Sequence, residues 1–288
     1  VFHEYDEDLA TALEEVKPGE LNALVQKLAG DLTEAERAQW LEDIRTVLLA
    51  TAWDARDLSF AGSCIKSVTG DRASAGPFVA EWMGRHANWQ SWDLEGLTML
   101  GGHLTGDGDA VAAVREGWAS RVRAAVANAR TELASSNGQH VRTMVRALDR
   151  CGDRREAEQL VAEWVNTSDR WQQLDLRAIA HVAHWQLRGR GETAAAARQR
   201  VGAYVLSTYL EGPETAEVGC GLWRTLAAAL GPDLPAEERA AWATALETTF
   251  APDDAAIQAL AYQQAWSLCR ALQLLEQRGP ASRLAAEW

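Results

Sequence analysis

The chain has 288 residues, a formal net charge of −13 and a pI near 5.0. That balance argues against nucleic acid as the main partner, because counterion release on a phosphate backbone needs clustered Lys and Arg. No apolar run approaches the roughly 20 residues that a membrane span requires, so no membrane partner is expected.

Read in order, residues 3–16 are acidic and amphipathic, with Leu9, Leu13 and Val16 at helical spacing, and predict an N-terminal cap helix within 1–19. Leu21–Leu28 predicts a first helix, and Gly30-Asp31 turns it into a second carrying Ala35, Ala38 and Trp40. Further hairpins pair Asp57–Val68 with Ala73–Gly84, and Asp93–Leu104 with Ala110–Ala124. Ser135-Ser136-Asn137-Gly138 is a loop signal, after which Gln139–Arg150 pairs with Arg154–Val165. Leu174–Leu187 pairs with Thr193–Ser207, and Glu214–Leu230 with Ala236–Thr249. Asp253-Asp254 reads as a helix N-cap pair, opening one long helix, Ala255–Gln277, followed by Ser282–Trp288. No alternating strand pattern intervenes, so the fold class is all-α. The missing initial Met and the ending inside a second helix suggest a module of a longer polypeptide.

The hairpins are copies of one another. Gly-Asp-Arg followed by Val-Ala-Glu-Trp occurs at Gly70–Trp82 and again, 82 residues later, at Gly152–Trp164. Trp89-Gln90 and Asp93-Leu94 match Trp171-Gln172 and Asp175-Leu176 at the same offset. Chance does not hold one offset over so many positions. Gly30, Gly70, Gly108, Gly152, Gly191, Gly231 and Gly279 recur at intervals of 38 to 48 residues. An acidic residue commonly follows, an alanine stands five residues on in six of the copies, and Trp or Tyr comes later. The glycine can take the left-handed conformation that ends one helix. The acid can cap the next helix, and the aromatic can fill the gap between hairpins.

This pattern resembles the tetratricopeptide repeat. Leu187 with Gly191-Glu192 and Ala196, and Leu148 with Gly152-Asp153 and Ala157, carry the likeness best. Units of about 40 residues exceed the usual 34. The likeness covers residues 20–288 and implies a right-handed α-solenoid of about seven hairpins in a single domain, the last one shortened. It also implies a concave face, lined by the first helix of each hairpin, that holds a protein or peptide segment. The expected function is therefore a peptide-binding scaffold. The alternatives are a peptide-sensing regulatory module of a larger protein and a helical-repeat enzyme with a site near His181 and His184. Homo-oligomerisation is left open.

By the family's spacing the groove positions include Gln139, Arg142, Arg146, Asp149 and Arg150 in one hairpin and Ala178, His181, Trp185 and Arg188 in the next. Other hairpins contribute Phe60, Cys64, Thr98 and Thr225. Arg142, Arg146 and Arg150 share a helix face at i, i+4, i+8. With His181, Trp185 and Arg188 they form a positive strip suited to an acidic segment or a free C-terminal carboxylate. The competing reading of such a run is a solvated charged face. His181-x-x-His184 has metal-ligand spacing but no third ligand, His140 and Asp175 being the nearest guesses, so no metal and no cofactor is expected. The recurring tryptophans are assigned to the core, with Trp92, Trp185, Trp223 and Trp266 as exceptions. Cys64, Cys151, Cys220 and Cys269 lie far apart and read as core thiols of a reducing, cytoplasmic compartment. No phosphate loop, nucleophile elbow or other catalytic motif is present.

Overall fold

The computed structural model describes residues 18–210, 215 and 217–288. The described residues are helical, without strands. The expected cap helix (1–19) lies almost wholly outside them, as does the start of the predicted helix at Glu214. The elements are α1 (Pro18–Leu28), α2 (Glu34–Ala50), α3 (Ala55–Thr69), α4 (Ala75–Arg85) and α5 (Leu94–Gly101). They continue with α6 (Asp109–Arg130), α7 (Gly138–Cys151), α8 (Arg154–Thr167), α9 (Leu176–His181) and α10 (Glu192–Val205). The last are α11 (Cys220–Leu230), α12 (Ala236–Phe250), α13 (Asp254–Ala259), α14 (Tyr262–Leu274) and α15 (Arg278–Glu287). Single π turns extend α9 through Val182–Gln186 and α10 through Leu206–Leu210.

Two compact units result. The first holds the chain to Ala129 together with Arg146–Gly152; the second holds Arg130–Val145 and Asp153–Trp288. Within the first, α3 packs on its own partner α4 and on the first helices of the adjacent hairpins, α1 and α5, while α2 packs on α4. Within the second, α8 packs on α10 and α11 on α14. First helices thus meet first helices, and second helices meet second helices.

The internal duplication is visible atom by atom inside each unit. Trp82 on α4 is fully buried and its indole N–H donates to the Thr51 carbonyl at 2.8 Å. Trp164 on α8 is equally buried and donates to the Ser136 carbonyl at 3.0 Å. Each thereby ties a second helix to the segment that precedes its hairpin. Both helices are followed by a short 3-10 turn, Asn88–Ser91 or Arg170–Gln173, that buries Trp89 or Trp171. Asp93 and Asp175 then cap the next helix, accepting from Gly96 N and Ala178 N at 2.8 Å each. A buried indole satisfied in this way contributes both area and a hydrogen bond.

Several expectations need correction. Of the seven tip glycines only Gly70 (φ 70°), Gly152 (φ 83°) and Gly191 (φ 154°) have positive φ. Gly106, not Gly108, does so in the third hairpin. In the last hairpin the left-handed residue is Glu276, and Gly279 falls inside α15. Gly231 is helical and serves close approach instead, since a Cβ there would lie 3.0 Å from the Leu274 carbonyl oxygen. Thr33 rather than Asp31 caps α2, in a reciprocal box with Glu36. The small-residue position is buried at Ala75 and Ala157 but exposed at Ala35, Ala113, Ala196 and Ala236. The long terminal helix is broken at Leu260-Ala261, where the Gln264 side chain accepts from Ala261 N and starts α14. Trp223 is core, and Trp288 at a nominal core position is 47% exposed.

Substituting Gly70 or Gly152 by Ala forces an L-residue into the left-handed region and should cost about 1–2 kcal/mol in urea unfolding. The same change at Gly279, inside a helix with open space around it, should be neutral or stabilise by up to about 1 kcal/mol.

Candidate functional site

At the start of α7 the backbone comes close to the segment before α9: a Cβ on Gly138 would lie 3.0 Å from the Leu174 side chain. That close approach brings the first turns of α7 against α9. A cavity of about 250 Å³ opens between them. Its polar groups are Gln139, Arg142, His181 and Gln186; Leu174, Val182 and the edge of Trp164 supply an apolar wall. Arg142 and His181, expected to share a groove, therefore converge on one pocket in the second unit.

A second cluster lies along the same first-helix elements. Trp185 is 55% exposed and Arg188 lies over its ring, 4.4 Å from the centroid. The Arg188 Nε donates to the His184 carbonyl at 2.7 Å, which fixes the stack. On α14, Trp266 is 50% exposed and carries Arg224 of α11 at 4.7 Å. The π turn after α9 packs on α11, so the two Arg–Trp stacks belong to adjoining elements. Burial lowers the His184 pKa, and the charges of Arg188, Arg224 and His181 lower it further. It meets Trp185 edge to face at 4.9 Å.

Carboxylates are distributed elsewhere. In the second unit Arg130 pairs with Glu163, Arg198 with Asp233, Arg200 with Asp169 and Arg239 with Glu276. Those arginines all stand on second helices, α6, α10 and α12. Among the described residues no carboxylate lies within ion-pair distance of Arg142, Arg188 or Arg224, on the first-helix side. Arg224 escaped the sequence reading because the family spacing counts back from a left-handed tip glycine, and Gly231 is helical.

The remaining site candidates fall in the first unit. Arg146 is exposed on the last part of α7. The Arg150 guanidinium donates to the Thr98 carbonyl and so anchors α5 as well as carrying charge. Beside it His103 bonds Ser59 Oγ at 3.0 Å, and Gly62 makes room for the ring, since a Cβ there would lie 2.6 Å from Nδ1. Two nominal groove residues, Cys64 and Thr98, are buried. Among the described residues no group of three or more His, Cys, Asp or Glu is placed to hold a metal, His181 and His184 included. No helix there is long and apolar enough to cross a membrane. No family model matches the chain, and neither a curated protein nor a solved structure shows significant similarity to it.

Burial, with Lys66 and Arg150 nearby, pushes the His103 pKa down to about 4. The unfolded chain, with an ordinary value of about 6.5, binds the proton more readily. Stability of the first unit should be complete above about pH 6.5 and fall progressively toward pH 4, by no more than about 3 kcal/mol. His103→Gln should flatten that slope in pH-dependent thermal unfolding.

Proposed function

We propose that the second unit binds a polypeptide segment bearing a carboxylate, either an acidic side chain or a free C-terminus. The observation that carries this reading is the convergence of Arg142 and His181 on a pocket whose other groups are two carboxamides and an apolar wall. A guanidinium without a carboxylate of its own is a ready fork for an incoming one. The carboxamides of Gln139 and Gln186 can donate to the remaining lone pairs. The apolar wall would take the methylene groups of the same residue.

The two Arg–Trp stacks support an extended ligand. An indole half exposed under a guanidinium presents a flat apolar surface and a positive edge together, a combination enriched where polypeptides are recognised. Leaving two such rings in water is unfavourable unless something covers them. The chain's overall negative charge makes this positive face locally distinct and would steer acidic segments toward it. An interaction role of the tetratricopeptide-like kind accords with these features, and first helices supply Gln139, Arg142, His181 and Arg224 among them.

The test is selection from a random peptide library displayed with free C-termini, followed by affinity measurement on the enriched peptides. Enrichment of Asp, Glu or a C-terminal carboxylate is expected. Arg142→Glu should weaken binding about tenfold or more, the scale of one lost charge-assisted hydrogen bond. Equal affinity of the variant, or no enrichment from the library, would remove the proposal.

A further inference from the structure

The third and fifth hairpins contain the same clamped turn. In one, Arg115 Nη2 donates to the carbonyls of Leu104 and Gly106 at 3.0 and 2.8 Å. In the other, Arg198 Nη1 donates to the carbonyls of Leu187 and Gly189, while its Nε pairs with Asp233 at 2.6 Å. The two turns read Leu104-Thr-Gly-Asp-Gly-Asp109 and Leu187-Arg-Gly-Arg-Gly-Glu192. One scaffold thus carries Thr105 and Asp107 in the first unit, and Arg188 and Arg190 in the second.

The helix that each turn packs against has diverged as well. On α4 the facing residues are Ala73, just before the helix, and Gly76. A Cβ on Gly76 would lie 1.7 Å from the Thr105 carbonyl oxygen, so the turn sits down on bare backbone. The positions 82 residues later are Arg155 and Glu158 on α8. There the turn stands off and leaves a cavity of about 630 Å³ lined by Arg155, Arg188, Arg190, Glu158, Gly189 and Gly191 among others. Glu158 already pairs with Arg154 at 3.3 Å. Among the described residues none of Arg155, Arg188 and Arg190 has a carboxylate within ion-pair distance. Three guanidinium groups against one carboxylate leave two net positive charges in a cavity of ligand size.

We infer that this cavity is a binding site for a phosphate group, whose charge of about −1.5 to −2 at neutral pH matches that excess. Guanidinium forks are suited to phosphate oxygens, and the Arg198 clamp holds the turn that carries two of them. The cavity shares Arg188 with the Trp185 stack, but none of its lining residues belongs to the Arg142–His181 pocket, and it does not depend on that pocket. Its ligand is either a free phosphate or a phosphorylated side chain.

The glycine amide resonances of Gly189 and Gly191 in the full chain report on the site. They are followed by NMR while inorganic phosphate, O-phosphoserine or chloride is added at matched ionic strength. Saturable shifts are expected with the phosphates and not with chloride. Arg155→Gln with Arg190→Gln should weaken them about tenfold or more, and Arg142→Glu should leave them unchanged. Binding of O-phosphoserine about tenfold tighter than phosphate supports a phosphorylated side chain as the ligand; equal binding supports free phosphate. No saturable shift with either probe, or shifts that survive in the double variant, would overturn the inference. Arg190→Gln alone, on the exposed turn, replaces the double variant if thermal unfolding shows that one to be misfolded.

Discussion

One contact recurs in three hairpins: a buried tryptophan on the second helix donates its indole N–H to a backbone carbonyl earlier in the chain, whereas Trp242 on α12 is equally buried with its indole N–H unpaired among the described residues. Trp82 reaches Thr51, Trp118 reaches Leu97 and Trp164 reaches Ser136. The ring fills the space between two helices, and the hydrogen bond removes the cost of burying its polar edge. Because the acceptor precedes or lies within the hairpin's first helix, the contact fixes where that helix stands relative to the second. In the last hairpin Trp288 makes the same kind of bond, to the Leu260 carbonyl at 2.9 Å, but its ring is 47% exposed, and the turn is made by a left-handed Glu276.

Much of this was legible in the sequence because it depends on residue identity at a fixed spacing. The 82-residue offset located α4 and α8, their aspartate-capped successors and the buried tryptophans. Helix ends set by Gly70, Gly152 and Asp175 fell within a residue or two of their expected places. What escaped depends on local competition that composition does not display. Thr33 outcompetes Asp31 as a cap because Glu36 completes a reciprocal box. A side-chain acceptor at Gln264 breaks a helix that periodicity alone would run through. Gly108 and Gly106 are equally capable of positive φ, and the Arg115 clamp on the carbonyls of Leu104 and Gly106 accompanies the choice of Gly106.

The candidate site was legible in part and for a related reason. Counting back from a left-handed glycine placed Arg142, His181, Trp185 and Arg188 on the exposed first-helix side, because Gly152 and Gly191 do have positive φ. The same count put Cys64 and Thr98 on the groove face, whereas both are buried, and passed over Arg224. The Arg155–Arg190 cavity could not be read at all without coordinates. It involves Glu158, which stands where the other copy has Gly76 and direct backbone contact with its turn. Duplication here preserves the clamp and the anchor, while the residues between them change charge and size. The proposed peptide and phosphate sites both occupy such variable positions.

On this account the tryptophans divide into anchors and recognition surfaces, and exchange of the indole protons separates the two sets directly. In ¹⁵N-labelled protein the indole N–H of Trp82, Trp118 and Trp164 should exchange with solvent only on unfolding, whereas those of Trp185 and Trp266 should exchange at nearly the free rate. Rapid exchange at the first three, or strong protection at the last two in the isolated chain, would contradict it.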